Sequence, residues 1–157
     1  MINFTISYID KKVNNNIKNF IYKEKDKWAK KLNSVEARTS GFNPSYRFFK
    51  ILEKDICENL FRITNKKWAM KCYWINFYEK GDHAKLHDHR KDAISSVLII
   101  KASKYNPLIF YDLNNKLIPI PERDGMLVLF NSQTPHSVMK CKEKRITIAM
   151  DFKELWR

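Results

Sequence analysis

Apolar residues in the first third of the chain recur at helical spacing. Over residues 11–32, Val13, Ile17, Phe20, Ile21 and Trp28 fall near one stripe with lysines between them, which predicts an amphipathic helix. Residues 46–64 repeat the pattern with Phe48, Phe49, Leu52, Ile56, Leu60 and Phe61. The stretch between them, NSVEARTSGFNPS, has the Ser, Asn, Gly and Pro chemistry of a loop. Residues 2–9 (INFTISYI) read as a short strand. Near residue 66 the texture changes to short strands. Candidates are 68–78 (WAMKCYWINFY), 84–89, 94–101 (ISSVLIIK), 107–112 (PLIFYD), 116–120, 126–130 (MLVLF), 135–140 and 145–152 (RITIAMDF). The turn sequences EKGD, LNNK, ERDG and KCKEK separate them. So many short strands predict an all-β sandwich or barrel, with two N-terminal helices packed on one sheet face, an α+β chain overall.

Composition narrows this picture. A chain of 157 residues is read as one domain, 1–157, with the strand and helices in 1–66 and the β core in 67–153. An apolar fraction of 44% supports a core that needs no disulfides. Cys57, Cys72 and Cys141 form no CxxC pair, and the expectation is a reducing, cytoplasmic compartment. No apolar run is long enough to cross a bilayer, so no membrane partner is expected. The formal charge is +13, spread along the chain without a long block of like charges. That leaves open a contact with nucleic acid as well as a plain solvated basic surface.

The histidines change the picture most. There are four, and three lie in KGDHAKLHDHRKDAISSVLII: His83, His87 and His89. Side chains at i and i+2 of a strand share a face, so His87 and His89 point together while Asp88 turns away. Two imidazoles at a strand end are half of a metal site. His136, just past the apolar run LVLF, is the obvious third ligand for a facial set that leaves coordination positions open. His83, after KGD, reads as a surface loop residue. Histidines beside Asp and Lys are also common on solvated surfaces, and that plainer reading stands beside the metal site.

The order of the pieces GD–HxH–SSV, then G–LVLF–xxxxxH, then Arg145 resembles the 2-oxoglutarate and Fe(II)-dependent oxygenase superfamily. It is most similar to a small phage and bacterial branch with an HxH motif. The resemblance covers about residues 68–153 and implies a double-stranded β-helix, a jelly-roll or cupin-like core. It implies Fe(II) and 2-oxoglutarate as cofactors and a hydroxylase activity on an unknown small-molecule or macromolecular substrate. His87 and His136 take the outer positions of the family's HxD/E…H triad. His89 stands where the family has a carboxylate, with Asp88 as the fallback ligand. The resemblance implies that Arg145 binds the distal carboxylate of 2-oxoglutarate, with Thr147 of RIT as a second donor. Asn76 and Tyr78, which share a strand face with Trp74, and Lys101 are further cosubstrate candidates. The family's last strand often ends in an Asn–aromatic pair, where this chain reads MDF.

Two other readings remain at this point. One is a cupin-like three-histidine metal protein that does not use 2-oxoglutarate. The other is a non-enzymatic basic module that binds nucleic acid on a degenerate barrel.

Overall fold

A computed structural model describes residues 4–89, 94–105 and 107–155. The chain begins with β1 (Phe4–Tyr8), α1 (Lys11–Glu24), a 3-10 turn (Lys25–Lys27), and the hairpin β2 (Ala29–Leu32) and β3 (Val35–Thr39). Helix α2 (Phe48–Thr64) follows. The β region comprises β4 (Trp68–Tyr78), β5 (His83–His87), β6 (Ile94–Lys101), β7 (Leu108–Tyr111), β8 (Leu117–Pro119), β9 (Met126–Asn131), β10 (His136–Val138) and β11 (Arg145–Glu154).

Two expectations need correction. The helix expected over 11–32 stops at Glu24. Trp28 lies past the 3-10 turn in extended backbone (φ −93°, ψ 143°), yet its ring is buried in the same core. That made the apolar stripe look continuous. The stretch expected as loop contains β3, in which Val35, Ala37 and Thr39 are buried and Glu36 and Arg38 are less so. This is a period of two that flanking Ser, Asn and Gly concealed.

The helix ends follow from local chemistry. The Asp10 carboxylate accepts hydrogen bonds from the amides of Lys12 and Val13 at 2.8 and 3.1 Å, which satisfies two free donors of α1. Helix α2 ends at Asn65 in left-handed backbone (φ 54°), whose amide donates to the Phe61 carbonyl.

All paired strands are antiparallel, in the order β1-β9-β6-β11-β4-β3-β5-β10-β7-β8, with β2 on β3. Strand β3 carries β2 along one edge, and its other edge bonds β4 through Arg38 and Thr39 and β5 through Val35 and Glu36, so the sheet curls around an interior. The expected fold class is what the structure shows: α+β, with a jelly-roll-like sheet and two helices on one face.

Alternation along the central strands makes two cores. Ile75 and Phe77 of β4, Leu98 and Ile100 of β6, Leu127 and Leu129 of β9, and Ile146, Ile148 and Met150 of β11 pack with Ile17, Ile21, Leu52, Ile56 and Leu60 of the helices. Their neighbours in sequence, such as Tyr78, Val97, Ile99 and Val128, fill the curl with Val35, Leu108, Phe110 and Val138. Both faces are covered, which explains why ISSVLII and MLVLF are nearly continuous apolar runs rather than alternating ones. The same parity aims Trp74, Asn76, Tyr78, Arg145, Thr147 and Ala149 at the interior, where they line one small cavity.

Candidate metal centre

Strands β5 and β10 meet at the mouth of the curl. His87, the last residue of β5, lies opposite His136, the first residue of β10. His89 follows two residues later, its amide donating to the Ser132 carbonyl at 2.8 Å. The three rings converge, with centroids 4.3, 5.2 and 5.3 Å apart. One nitrogen from each lies within 4.8 Å of the others. Asp88 lies in the wall of the adjoining cleft, outside this cluster. His83 begins β5 rather than lying in a loop, is half-buried, and stands apart from the cluster.

Each imidazole is anchored by Nδ1. His87 Nδ1 lies 2.6 Å from the Lys85 carbonyl and His136 Nδ1 2.9 Å from the Thr134 carbonyl. A carbonyl only accepts, so both Nδ1 atoms carry the proton and Nε2 keeps the lone pair a metal needs. Burial lowers the pKa of His87, with the nearby His89 adding to the effect. Burial likewise brings His136 down to about 3, helped by His87 and His89. Both rings are therefore neutral ligands at neutral pH.

His89 has a different anchor. Its Nδ1–H donates to Asp151 Oδ1 at 2.6 Å. Ser95 Oγ donates to the same oxygen at 2.7 Å and lies 3.1 Å from Ser132 Oγ. Asp151 is 5% exposed. It belongs to MDF, where the resembling family often has Asn–aromatic. The two departures from the family pattern, His89 and Asp151, thus touch each other. A carboxylate absent from the ligand set stands one residue further out, as the orienting partner of the second imidazole. The signal was present in the sequence: Asp151 is the acid on the inward parity of β11, counting by twos from Arg145.

Deeper in the curl, Arg145 and Glu122 form a closed pair. Arg145 Nε lies 2.9 and 3.0 Å from the two Glu122 oxygens, and Nη2 lies 2.7 Å from Oε1. Their side chains are 1% and 0% exposed. Burial works against the Arg145 charge, but Glu122 outweighs it and the net effect raises the pKa. The guanidinium also lies over the Tyr78 ring, 5.1 Å from its centroid. Arg145, Thr147, Asn76 and Tyr78 all line the inner cavity with the three histidines, and its volume is about 30 Å³. Lys101, at the end of β6, is not among the lining residues. Glu122 lies in the loop before β9, where no periodicity could mark it as inward-facing.

No protein-family model and no curated protein matches the chain. Solved structures do. A prolyl-4-hydroxylase from Pseudomonas putida superposes with a TM-score of 0.80 at 11% identity, over 99% of this chain and 95% of that one. A prolyl hydroxylase from Trichoplax adhaerens, solved with a hypoxia inducible factor peptide, gives 0.79 at 14% identity, over 96% and 83%. An oxidoreductase of the 2OG-Fe(II) oxygenase family from Burkholderia pseudomallei gives 0.74 at 11% identity, over 96% and 84%. The chain shares the fold of the 2OG-Fe(II) oxygenases. At these identities the likeness is one of fold.

Within that fold the donor set suits a ferrous ion. Three imidazoles, each with Nδ1 anchored, converge beside an open cleft. The fit to 2-oxoglutarate is different. Its distal carboxylate needs a guanidinium edge, and Glu122 holds the Nε–Nη2 edge of Arg145. The cavity also has room for only one or two waters by volume. In this arrangement the distal carboxylate does not fit.

Proposed function

We propose that this protein is an iron-dependent oxygenase whose metal is held by His87, His89 and His136. The observation that carries the reading is the convergence of three imidazoles, each with Nδ1 anchored, at the mouth of a curl shared with 2OG-Fe(II) oxygenases. Bound Fe(II) would supply the activation of O2 for hydroxylation of a C–H bond, with a 2-oxo acid as the reductant that gives up CO2.

The chain's own residues divide the remaining work. Lys85 and Thr134 carbonyls and the Asp151 carboxylate fix the ring tautomers, so that Nε2 is available on all three ligands. Phe130 and Phe110 pack edge-on against His136, at 5.0 and 6.1 Å, and keep water from its inner side. Substrate enters from the opposite side, through an open cleft of about 980 Å³ whose walls include Phe42, Trp74, Leu86 and Pro135. Among the described residues the charged Lys and Asp side chains of the cleft lining are Lys71, Asp88 and Asp151. The apolar walls favour a substrate recognised through apolar contacts.

The Arg145–Glu122 pair favours a second reading, a three-histidine metal protein of this fold that uses no 2-oxo acid. Anaerobic titration of the Fe(II)-loaded protein with 2-oxo acids separates the two. A metal-to-ligand charge-transfer band that requires both components supports the oxygenase, and bound iron without such a band supports the second reading.

A further inference from the structure

The inner cavity holds a fully buried arginine whose charge is already matched. Glu122 meets Arg145 through two guanidinium nitrogens, and its Oε2 also accepts from the Ser103 amide at 3.3 Å. Both partners are more than nine-tenths buried. Arg145 is the only cation among the described residues that line the cavity. A second carboxylate that reached Arg145 from the cavity would meet a guanidinium already held by Glu122, in a site that water cannot screen. What the cavity lacks is neutral hydrogen bonding: Asn76 Oδ1 and Trp74 Nε1 are buried in its wall without partners. Its volume of about 30 Å³ takes a methyl or ethyl group and not a five-atom carboxylate tail.

Resting on the iron-oxygenase reading, we propose that Glu122 occupies the anion position on Arg145, so that the site selects a 2-oxo acid with a short, uncharged tail. Pyruvate and 2-oxobutyrate represent that class. Their carboxylate and keto oxygens lie toward the three histidines, and the tail enters the cavity among Val97, Leu108 and Val138. Arg145, held by Glu122 behind it, then forms part of the cavity wall. Glu122 is a specificity-determining residue in this arrangement.

The experiment uses the whole protein, loaded anaerobically with Fe(II), and measures calorimetric affinity and charge-transfer absorbance for pyruvate and 2-oxoglutarate. Iron binding is established first, in the absence of either acid. If iron does not bind, the iron-oxygenase reading fails and this inference falls with it. With iron bound, the expected result is tighter binding of pyruvate by roughly tenfold or more, the cost of setting like charges side by side in a dry site. Glu122→Gln, which keeps the shape and removes the charge, is expected to move the preference toward 2-oxoglutarate. Tighter binding of 2-oxoglutarate by the wild-type protein overturns the proposal without touching the iron site. So does iron binding with no response to either acid. The wild-type comparison stands by itself if the variant does not fold.

Discussion

Asp151→Asn removes one charge and keeps the side-chain shape. In the native arrangement the carboxylate accepts from His89 Nδ1–H at 2.6 Å and from Ser95 at 2.7 Å, and it is 5% exposed. A hydrogen bond to a charged group in such a place contributes about 1.5–3 kcal/mol. Part of that is felt at Nε2, because a carboxylate on Nδ1–H raises the basicity of the other nitrogen and fixes the ring plane. Loss of such partners typically weakens metal binding about 10–100-fold, which corresponds to roughly 1.4–2.7 kcal/mol and agrees with the hydrogen-bond figure. The assay is anaerobic competition for Fe(II) or Co(II) with a chromophoric chelator, with far-UV circular dichroism to confirm folding. Asp88→Asn takes the same charge from the cleft wall and serves as the control, with a much smaller expected change. If Asp151→Asn binds metal as the wild type does, or no worse than Asp88→Asn, then Asp151 does not orient His89 and the reasoning is wrong.

Acid should destabilise the metal-free protein. Burial lowers the folded-state pKa of His87 and His136, so the unfolded chain takes up protons first and stability falls as pH drops below the ordinary 6.5. With His136 at about 3, its share of the loss at pH 4.5 is about 3 kcal/mol, measurable by urea unfolding at pH 7 and pH 4.5. Equal stability at both values would contradict the burial of a neutral His136. Glu122→Ala leaves Arg145 buried and unpaired and is expected to cost about 3–5 kcal/mol, whereas Glu122→Leu combined with Arg145→Met should be close to neutral. If the single variant is as stable as the double, the pair is not closed in solution. Ile148→Ala, beneath the two helices, should cost about 2–5 kcal/mol in chemical denaturation, with no change in metal affinity. A lost metal site in that variant would mean the two cores are coupled more tightly than their separate faces imply.

Much of this was legible in the sequence, for physical reasons that differ from element to element. The i, i+2 spacing of His87 and His89 sufficed to pair them, because strand parity is a local property. His136 could be recruited only through the order of strands, since its position opposite His87 depends on a pairing across the sheet. The β core was legible because turn residues punctuate it. Strand β3 was not, since Val35, Ala37 and Thr39 alternate over only five residues and sit among loop-forming neighbours. Likewise the true end of α1 was hidden because Trp28 returns to the helical core from an extended segment. Asp151 was available to anyone counting by twos along β11, but its partner His89 lies 62 residues away. Glu122 was beyond reach: a charged residue in a turn-rich loop looks solvent-facing until the Arg145 beneath it is placed.

The central claim is a metal held by three imidazoles. Its most direct test is X-ray absorption spectroscopy on protein titrated anaerobically with Fe(II) and then desalted. The account predicts one retained ion per chain whose protein ligands are all imidazole, with an imidazole lost in each of His87→Ala, His89→Ala and His136→Ala. Retained iron whose first shell includes the Asp88 carboxylate, or no iron after desalting, would contradict it.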